Sequence, residues 1–300
     1  MDCDCVVVGA GPAGLYCGTY LGRCRRQVII FDGGKPRAGW IPRTHNFPAF
    51  PEGISGIELL QLMRQQCERY GAEIRQERVL SISGQDRDFI VKTVEHELRT
   101  SKVVLATGVN DIPPDIPDAE HYKGATIRHC PICDAYEVID KRVAVIGPGT
   151  HAARLTQWLL NYTADLILLT NDNEGRSAIN PKIAEKLDKC GIPIYGAKIA
   201  KIEEEDGILG TITLEDGTEI RGVSRGYSAM GLKPNSELAE SIGAQLDADG
   251  YIVADDHQCT TIRGVYAVGD IVSNQIGQLS IGMGHAAKAS VAIHNSLLVW

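Results

Sequence analysis

No stretch of this 300-residue chain approaches the roughly 18 consecutive apolar residues that a membrane-spanning helix needs, so no membrane partner is expected. The opening Met1-Asp2-Cys3-Asp4 has neither the basic nor the apolar region of a signal peptide, and the expected location is the cytoplasm. A basic surplus is missing too. With 30 Lys and Arg against 38 Asp and Glu, the formal net charge is −8. Without a basic face there is no counterion release to hold a phosphate backbone, so nucleic acid is not an expected partner. Cysteine is sparse: nine residues, mostly scattered, do not make the framework of a secreted disulfide scaffold. Only Cys130 and Cys133 are spaced for chemistry, as Cys-x-x-Cys. No second paired-Cys motif exists to complete the ligand set of a structural zinc, so no metal is expected.

What the chain does have is a pair of glycine fingerprints framing that dithiol. Gly9-Ala10-Gly11-Pro12-Ala13-Gly14 follows the apolar Cys5-Val6-Val7-Val8 and precedes a helical stretch over 13–23 and a strand over 27–31 that ends at Asp32. In such a βαβ unit the glycines permit a tight turn and close approach of the backbone to a pyrophosphate. The pyrophosphate rests on the helix N-terminus, and the acid binds ribose hydroxyls. The second fingerprint, Gly147-Pro148-Gly149-Thr150-His151-Ala152, follows Val143-Ala144-Val145-Ile146 and precedes a helix over 152–160 and a strand over 165–170. A dithiol between two nucleotide-binding turns points to electrons passing between a dinucleotide and a disulfide.

A chain of this length with 44% hydrophobic residues exceeds the usual size of one core, so two domains are expected. A helix over 56–70 is followed by alternating segments at 78–82, 89–93 and 97–99, which read as short antiparallel strands, and by a buried strand over 102–106. Residues 110–118, rich in proline and acid, read as one interdomain strand. Gly231-Leu232-Lys233-Pro234-Asn235 reads as the return crossing, because Gly264-Val265-Tyr266-Ala267-Val268-Gly269-Asp270 has the pattern of another buried strand ending in a ligand-facing acid. The expected fold class is α/β, with two Rossmann-like (three-layer ββα) dinucleotide-binding domains. The second is inserted in the first: 1–112 with 236–300, and 113–235.

Taken with His45-Asn46-Phe47-Pro48, Ala106-Thr107-Gly108, Asp134 after the second cysteine, and Gln278 eight residues after Asp270, these motifs in this order resemble the low-molecular-weight thioredoxin reductase family of flavoproteins over essentially the whole chain. The resemblance implies one FAD per chain, held by Gly9, Gly11, Pro12, Ala13, Gly14, Asp32, His45, Asn46, Val79, Thr107, Gly108, Gly269, Asp270, Gln278 and Leu279. It implies Cys133 as the cysteine nearer the flavin, Cys130 as the one that exchanges with a partner, and Asp134 as proton donor. It also implies a homodimer whose partner is a thioredoxin-like protein or a small dithiol. The chemistry agrees. A thiolate is the nucleophile in exchange, a helix start lowers a thiol pKa, and a neighbouring carboxyl can protonate the leaving thiolate.

The family pattern fails at the second nucleotide site. NADPH-using members carry a His-Arg-Arg stretch after the second strand and a later Arg, whereas this chain reads Thr170-Asn171-Asp172-Asn173-Glu174-Gly175-Arg176 and keeps only Arg176. The branch implied lacks the NADPH clamp, as in ferredoxin-dependent flavin thioredoxin reductases or diflavin-linked disulfide oxidoreductases. The turn itself, Gly147, Gly149 and Thr150, is intact, so NADH or a second FAD could use it, or reduction could come from a protein such as ferredoxin. Cys-Pro-Ile-Cys-Asp-Ala-Tyr-Glu also resembles dithiol oxidases that close disulfides in small-molecule toxins with oxygen as acceptor. A non-catalytic flavin-binding redox sensor is the alternative from another class. Trp300 and Tyr136 are candidates for stacking on a flavin, against the alternative of ordinary packing.

Overall fold

The computed structural model describes residues 1–298. Its chain divides into two compact units: Met1–Arg43, Phe47–Asn110 and Lys233 onward make the first, and Thr44–Asn46 with Asp111–Leu232 make the second. The chain thus crosses at 110/111 and 232/233, where strands Val109–Asp111 and Leu232–Pro234 pair with each other. The strand expected over 110–118 stops at Asp111. Pro113, Pro114 and Pro117 cannot donate to a ladder, and a short helix, Ala119–Tyr122, follows.

In the first unit the apolar run Cys3–Val8 is a strand buried at every position but Asp4, as a strand covered on both faces should be. It pairs in parallel with Val28–Phe31 and Glu97–Leu105. The sheet order is Glu73–Arg75, Val28–Phe31, Cys3–Val8, Glu97–Leu105, Asp88–Lys92, Ser81–Gln85, with Val265–Ala267 also on Glu97–Leu105. The sequence splits Glu97–Leu105 into two strands because its halves have different environments. Its start alternates exposed and buried residues against the antiparallel Asp88–Lys92, whereas its end is wholly buried beside the parallel Val265–Ala267. The strand expected at 78–82 begins at Ser81. Helix Pro12–Arg23 packs Leu15, Cys17 and Leu21 into one apolar cluster with Ala286, Ala289 and Ile293 of helix Leu279–Ser296.

The second unit is built on the same plan. Its parallel sheet runs Ile194–Tyr195, Leu166–Leu169, Val143–Ile146, Arg225–Ser228, Ile127–Arg128. Strand alternation sorts the two faces: Val143 and Val145 pack with Ala152 and Leu159 of helix Gly149–Leu159, while Ala144 and Ile146 pack with Ile199, Ile212 and Ile220 of the antiparallel sheet Ile199–Glu205, Ile208–Leu214, Glu219–Val223. That gives the three ββα layers. Among the described residues no helix is long and apolar enough to cross a membrane.

Candidate functional site

The first glycine turn is shaped by what surrounds each missing Cβ. A Cβ on Gly9 would lie 2.3 Å from the Ala106 carbonyl oxygen, and one on Gly14 would lie 1.9 Å from the Gly9 carbonyl oxygen. These two glycines let strand, helix and the 106–108 segment close on one another. At Gly11 a Cβ would meet nothing within 4 Å. An open cradle therefore sits at the N-terminus of Pro12–Arg23, where backbone donors and the helix dipole favour a pyrophosphate, and Pro12 removes only a donor the helix leaves unused. Gly269, with φ +81°, comes in beside Ala13. The residues fit the phosphates of FAD.

Asp32 follows the strand Val28–Phe31 and is 5% exposed. Its Oδ1 accepts from the Gly34 amide at 2.9 Å, and its Oδ2 accepts from Gln76 Nε2 at 2.9 Å and from Arg64. Burial pushes this carboxyl up, but the Gly34, Gln76 and Arg64 hydrogen bonds and the Arg64 charge together hold it below the usual carboxylate range. Thr107 Oγ1 donates to the Asn235 carbonyl at 2.7 Å, Asn235 Nδ2 returns a bond to the Thr107 carbonyl at 2.9 Å, and Gly108 takes a left-handed φ of +65°. Asp270 Oδ2 lies 3.4 Å from Arg37 Nη1. Gln278 Nε2 donates to the Gly277 carbonyl, Leu279 begins the C-terminal helix, and Val79 is buried in the apolar cluster on the other side of the sheet. His45 and Asn46 group with the second unit, where His45 Nδ1 meets Glu137 Oε1 at 2.8 Å and Asn46 Oδ1 accepts from Thr44 at 2.8 Å.

Cys130 and Cys133 form a disulfide, with S–S 2.03 Å and Cα–Cα 5.3 Å. The helix expected to start here is one turn, Pro131–Asp134, followed by a 3₁₀ turn, Ala135–Val138. Asp134, with φ −148°, breaks the run, so the dipole available to a thiolate is that of a single turn. Asp134 Oδ1 accepts from the Tyr227 hydroxyl at 2.8 Å, and Arg128 Nε lies 3.6 Å from Oδ2. Burial pushes the Asp134 carboxyl above the usual range, against the opposing pull of Tyr227 and Arg128. Tyr136 is 76% exposed, and Trp300 lies outside the described residues.

The second glycine turn differs from the first in what lies over it. Gly147 packs tightly on Ala229, as Gly9 does on Ala106, but a Cβ on Gly149 would be 3.3 Å from the Ala178 carbonyl oxygen, and Thr150 Oγ1 accepts from the Asn180 amide at 2.8 Å. The segment after Leu166–Leu169 thus folds back against the turn. Asn171 is buried and structural: its Nδ2 donates to the Asp115 carbonyl at 2.8 Å and its Oδ1 accepts from the Ile199 amide at 2.7 Å. Asp172 Oδ1 accepts from Thr170 Oγ1 at 2.6 Å and from the Glu174 and Gly175 amides at 2.9 Å each. Burial raises this carboxyl, but these bonds outweigh it and hold it below the usual range. Arg176 pairs with Asp188 at 2.6 Å on the surface.

A family model for pyridine nucleotide-disulphide oxidoreductases matches residues 3–292. The chain belongs to this family. It is similar to a thioredoxin reductase of Mycolicibacterium smegmatis, at 28% identity over 96% of this chain and 94% of that protein. It is similar also to NADPH-dependent thioredoxin reductase 3 of Arabidopsis thaliana, at 29% identity over 98% of this chain, which spans 59% of that longer protein. The crystal structure of a thioredoxin reductase, TrxB, assigned as such in Bacillus anthracis superposes with a TM-score of 0.89 at 28% identity, covering 98% of each chain. The oxidoreductase is accordingly a flavoprotein enzyme that works on disulfides, which displaces the alternative of a non-catalytic sensor.

Several polar partners in this oxidoreductase escape a reading of its sequence. Arg64 and Gln76 on Asp32, Asn235 on Thr107, and Tyr227 and Arg128 on Asp134 carry no motif. Tyr227 in particular sits in a short, mostly buried strand, where an aromatic reads as core. Only the strand register, which pairs it with Arg128, brings it to the carboxyl.

Proposed function

We propose that this enzyme passes electron pairs between one FAD in its first unit and the Cys130/Cys133 pair, and on to a thioredoxin-like protein or a small dithiol, using a donor other than NADPH. The observation that carries the reading is the closed Cys130–Cys133 disulfide followed directly by the half-buried carboxyl of Asp134. Gly9, Gly11 and Gly14 would hold the pyrophosphate and Asp32 the ribose, with Asn46, Thr107, Gly108, Asp270 and Gln278 completing the site. FAD, when bound, supplies two-electron exchange with the disulfide. In the reductive direction the Cys130 thiolate attacks one sulfur of the partner disulfide. That bond breaks as a mixed disulfide forms, and the leaving partner thiolate takes a proton from Asp134. The Cys133 thiolate then attacks Cys130 Sγ, which restores the internal disulfide and releases the second partner thiolate to be protonated.

The names of the relatives support a thioredoxin-like partner. Asn171, committed to Asp115 and Ile199, and Asp172, committed to the amides of its own loop, support a branch of the family without the NADPH clamp, fed by a protein such as ferredoxin or by another dinucleotide. The reading expects a homodimer and one FAD per chain, because a second FAD at Gly149 would require the Ala178 segment to shift. Oxidised protein mixed anaerobically with NADPH, NADH and reduced ferredoxin in turn, followed at the flavin band, tests the donor. Rapid bleaching by NADPH alone refutes this part of the reading. A flavin that neither bleaches nor recovers with any dithiol or disulfide partner refutes the whole.

A further inference from the structure

Asp134 is held by two side chains that the sheet register delivers together. Tyr227 of Arg225–Ser228 and Arg128 of Ile127–Arg128 are direct partners in adjacent parallel strands, so both side chains leave the same face of the sheet. Tyr227 OH donates to Asp134 Oδ1 at 2.8 Å, and Arg128 Nε lies 3.6 Å from Oδ2. Tyr227 is fully buried, in the same apolar cluster as Ala135 and Val138, the residues that fix the turn carrying Asp134 onto the sheet. A phenol at this depth needs an acceptor, and Asp134 provides it.

We propose that Tyr227 is a positioning residue that fixes the Asp134 carboxyl beside Cys133 and sets how readily it releases its proton during thiol–disulfide exchange. The proposal rests on the reading of Asp134 as proton donor. The groups facing this carboxyl are Tyr227 and Arg225 from one strand, Arg128 from the next, and Glu137 from the 3₁₀ turn that follows. Burial and Glu137 favour the protonated acid. Tyr227, Arg128 and Arg225 favour the carboxylate that proton transfer leaves behind. Without the phenol the acid holds its proton more firmly. It then stays protonated to higher pH but delivers the proton more slowly.

The test uses holoenzyme reduced anaerobically with dithionite and mixed with two disulfides. Bis(2-hydroxyethyl) disulfide expels an alkyl thiolate that benefits from a proton, whereas 5,5′-dithiobis(2-nitrobenzoate) expels an aromatic thiolate that leaves without one. Tyr227→Phe should slow the alkyl disulfide about tenfold, the scale of one hydrogen bond to a charged group, and leave the aromatic one unchanged. The alkaline limb of its pH profile should move to higher pH. Asp134→Asn should slow the alkyl disulfide at least as much, and adding Tyr227→Phe to it should change nothing further. Asp134→Asn slow with Tyr227→Phe unaltered overturns the role of Tyr227 alone, and Asp134→Asn without effect overturns the proton donor and this proposal with it. Equal slowing of both disulfides by Tyr227→Phe also overturns the proposal, because it marks a general loss of structure.

Discussion

The proposed lack of the phosphate clamp of NADPH-using relatives sets a rate that can be measured. Two hydrogen bonds from arginine to a 2′-phosphate are worth about 1.5–3 kcal/mol each, so their absence weakens NADPH binding by a factor on the order of a hundred or more. Arg176 is held by Asp188 at 2.6 Å in an exposed pair, and freeing it costs at most about 1 kcal/mol, yet it returns one bond where two are missing. Asp172, held below the usual carboxylate range, is charged at neutral pH and opposes the phosphate. At 4 Å in bulk water that repulsion is about 1 kcal/mol per unit of phosphate charge. Anaerobic stopped-flow mixing of oxidised holoenzyme with micromolar NADPH should therefore show little flavin bleaching on the millisecond scale. NADH, which has no 2′-phosphate, loses nothing by the absence of the clamp and should reduce the flavin at least as fast as NADPH. Full bleaching within milliseconds at micromolar NADPH would refute the reasoning. Restoring the clamp carries its own cost. An arginine at 171 breaks the buried bonds of Asn171 to Asp115 and Ile199, and one at 172 removes the acceptor of three hydrogen bonds. Such a variant should gain NADPH affinity and lose roughly 1–3 kcal/mol of stability, so the thermal midpoint must be followed beside the kinetics.

Cys133→Ser should trap a partner on Cys130 as a mixed disulfide, seen by mass spectrometry, whereas Cys130→Ser should abolish turnover without trapping; capture on Cys133 reverses the assignment. Burial raises the Asp134 carboxyl, so the folded protein holds that proton more tightly than the unfolded chain. Its contribution to stability is then full below the unfolded pKa of about 3.9 and is lost as pH rises through the folded value. Asp134→Asn should accordingly raise the thermal midpoint at neutral pH, with the gain disappearing in acid, while exchange slows; a lower midpoint at pH 7 than at pH 4, relative to the parent, contradicts this. Gly14→Ala should destabilise the apoprotein severely, because its Cβ would sit 1.9 Å from the Gly9 carbonyl oxygen, whereas Gly11→Ala should fold and fail to retain FAD. Equal flavin content in Gly11→Ala and the parent rules out that cradle.

The fold is legible in this chain where local pattern and burial coincide. Cys5-Val6-Val7-Val8 and Val143-Ala144-Val145-Ile146 are covered on both faces, so each reads as a continuous apolar run, and each leads into a glycine turn whose tight contacts need a missing side chain. Pattern fails where one element spans two environments. Glu97–Leu105 alternates against an antiparallel neighbour and then runs buried against a parallel one, so it reads as two strands although the backbone is one. The helix expected after Cys130 fails for a different reason. Pro131 starts a turn well, but nothing in the sequence announces that Asp134 leaves helical geometry to place its carboxyl under Tyr227.

The two glycine turns show why a motif marks a backbone shape and not yet a binding site. Gly9 and Gly147 both pack against a neighbouring carbonyl region, and the third position of each motif, Gly14 or Ala152, is small and buried where the helix meets the sheet. By those criteria the turns are equivalent. They differ at the second glycine, which the ligand must approach: Gly11 faces open space, while Gly149 faces the Ala178 carbonyl oxygen at 3.3 Å from its would-be Cβ. A carbonyl oxygen carries partial negative charge, so it opposes a pyrophosphate as well as crowding it. In the same loop Asp172 caps the Glu174 and Gly175 amides and the Asn180 amide closes on Thr150 Oγ1, while Asn171 ties the start of the loop to Asp115 and Ile199. Opening the turn is therefore coupled to the loop that follows it: moving the Ala178 segment away from Gly149 far enough to admit a dinucleotide must also break the Asn180 to Thr150 hydrogen bond and strain the turn that Asp172 caps.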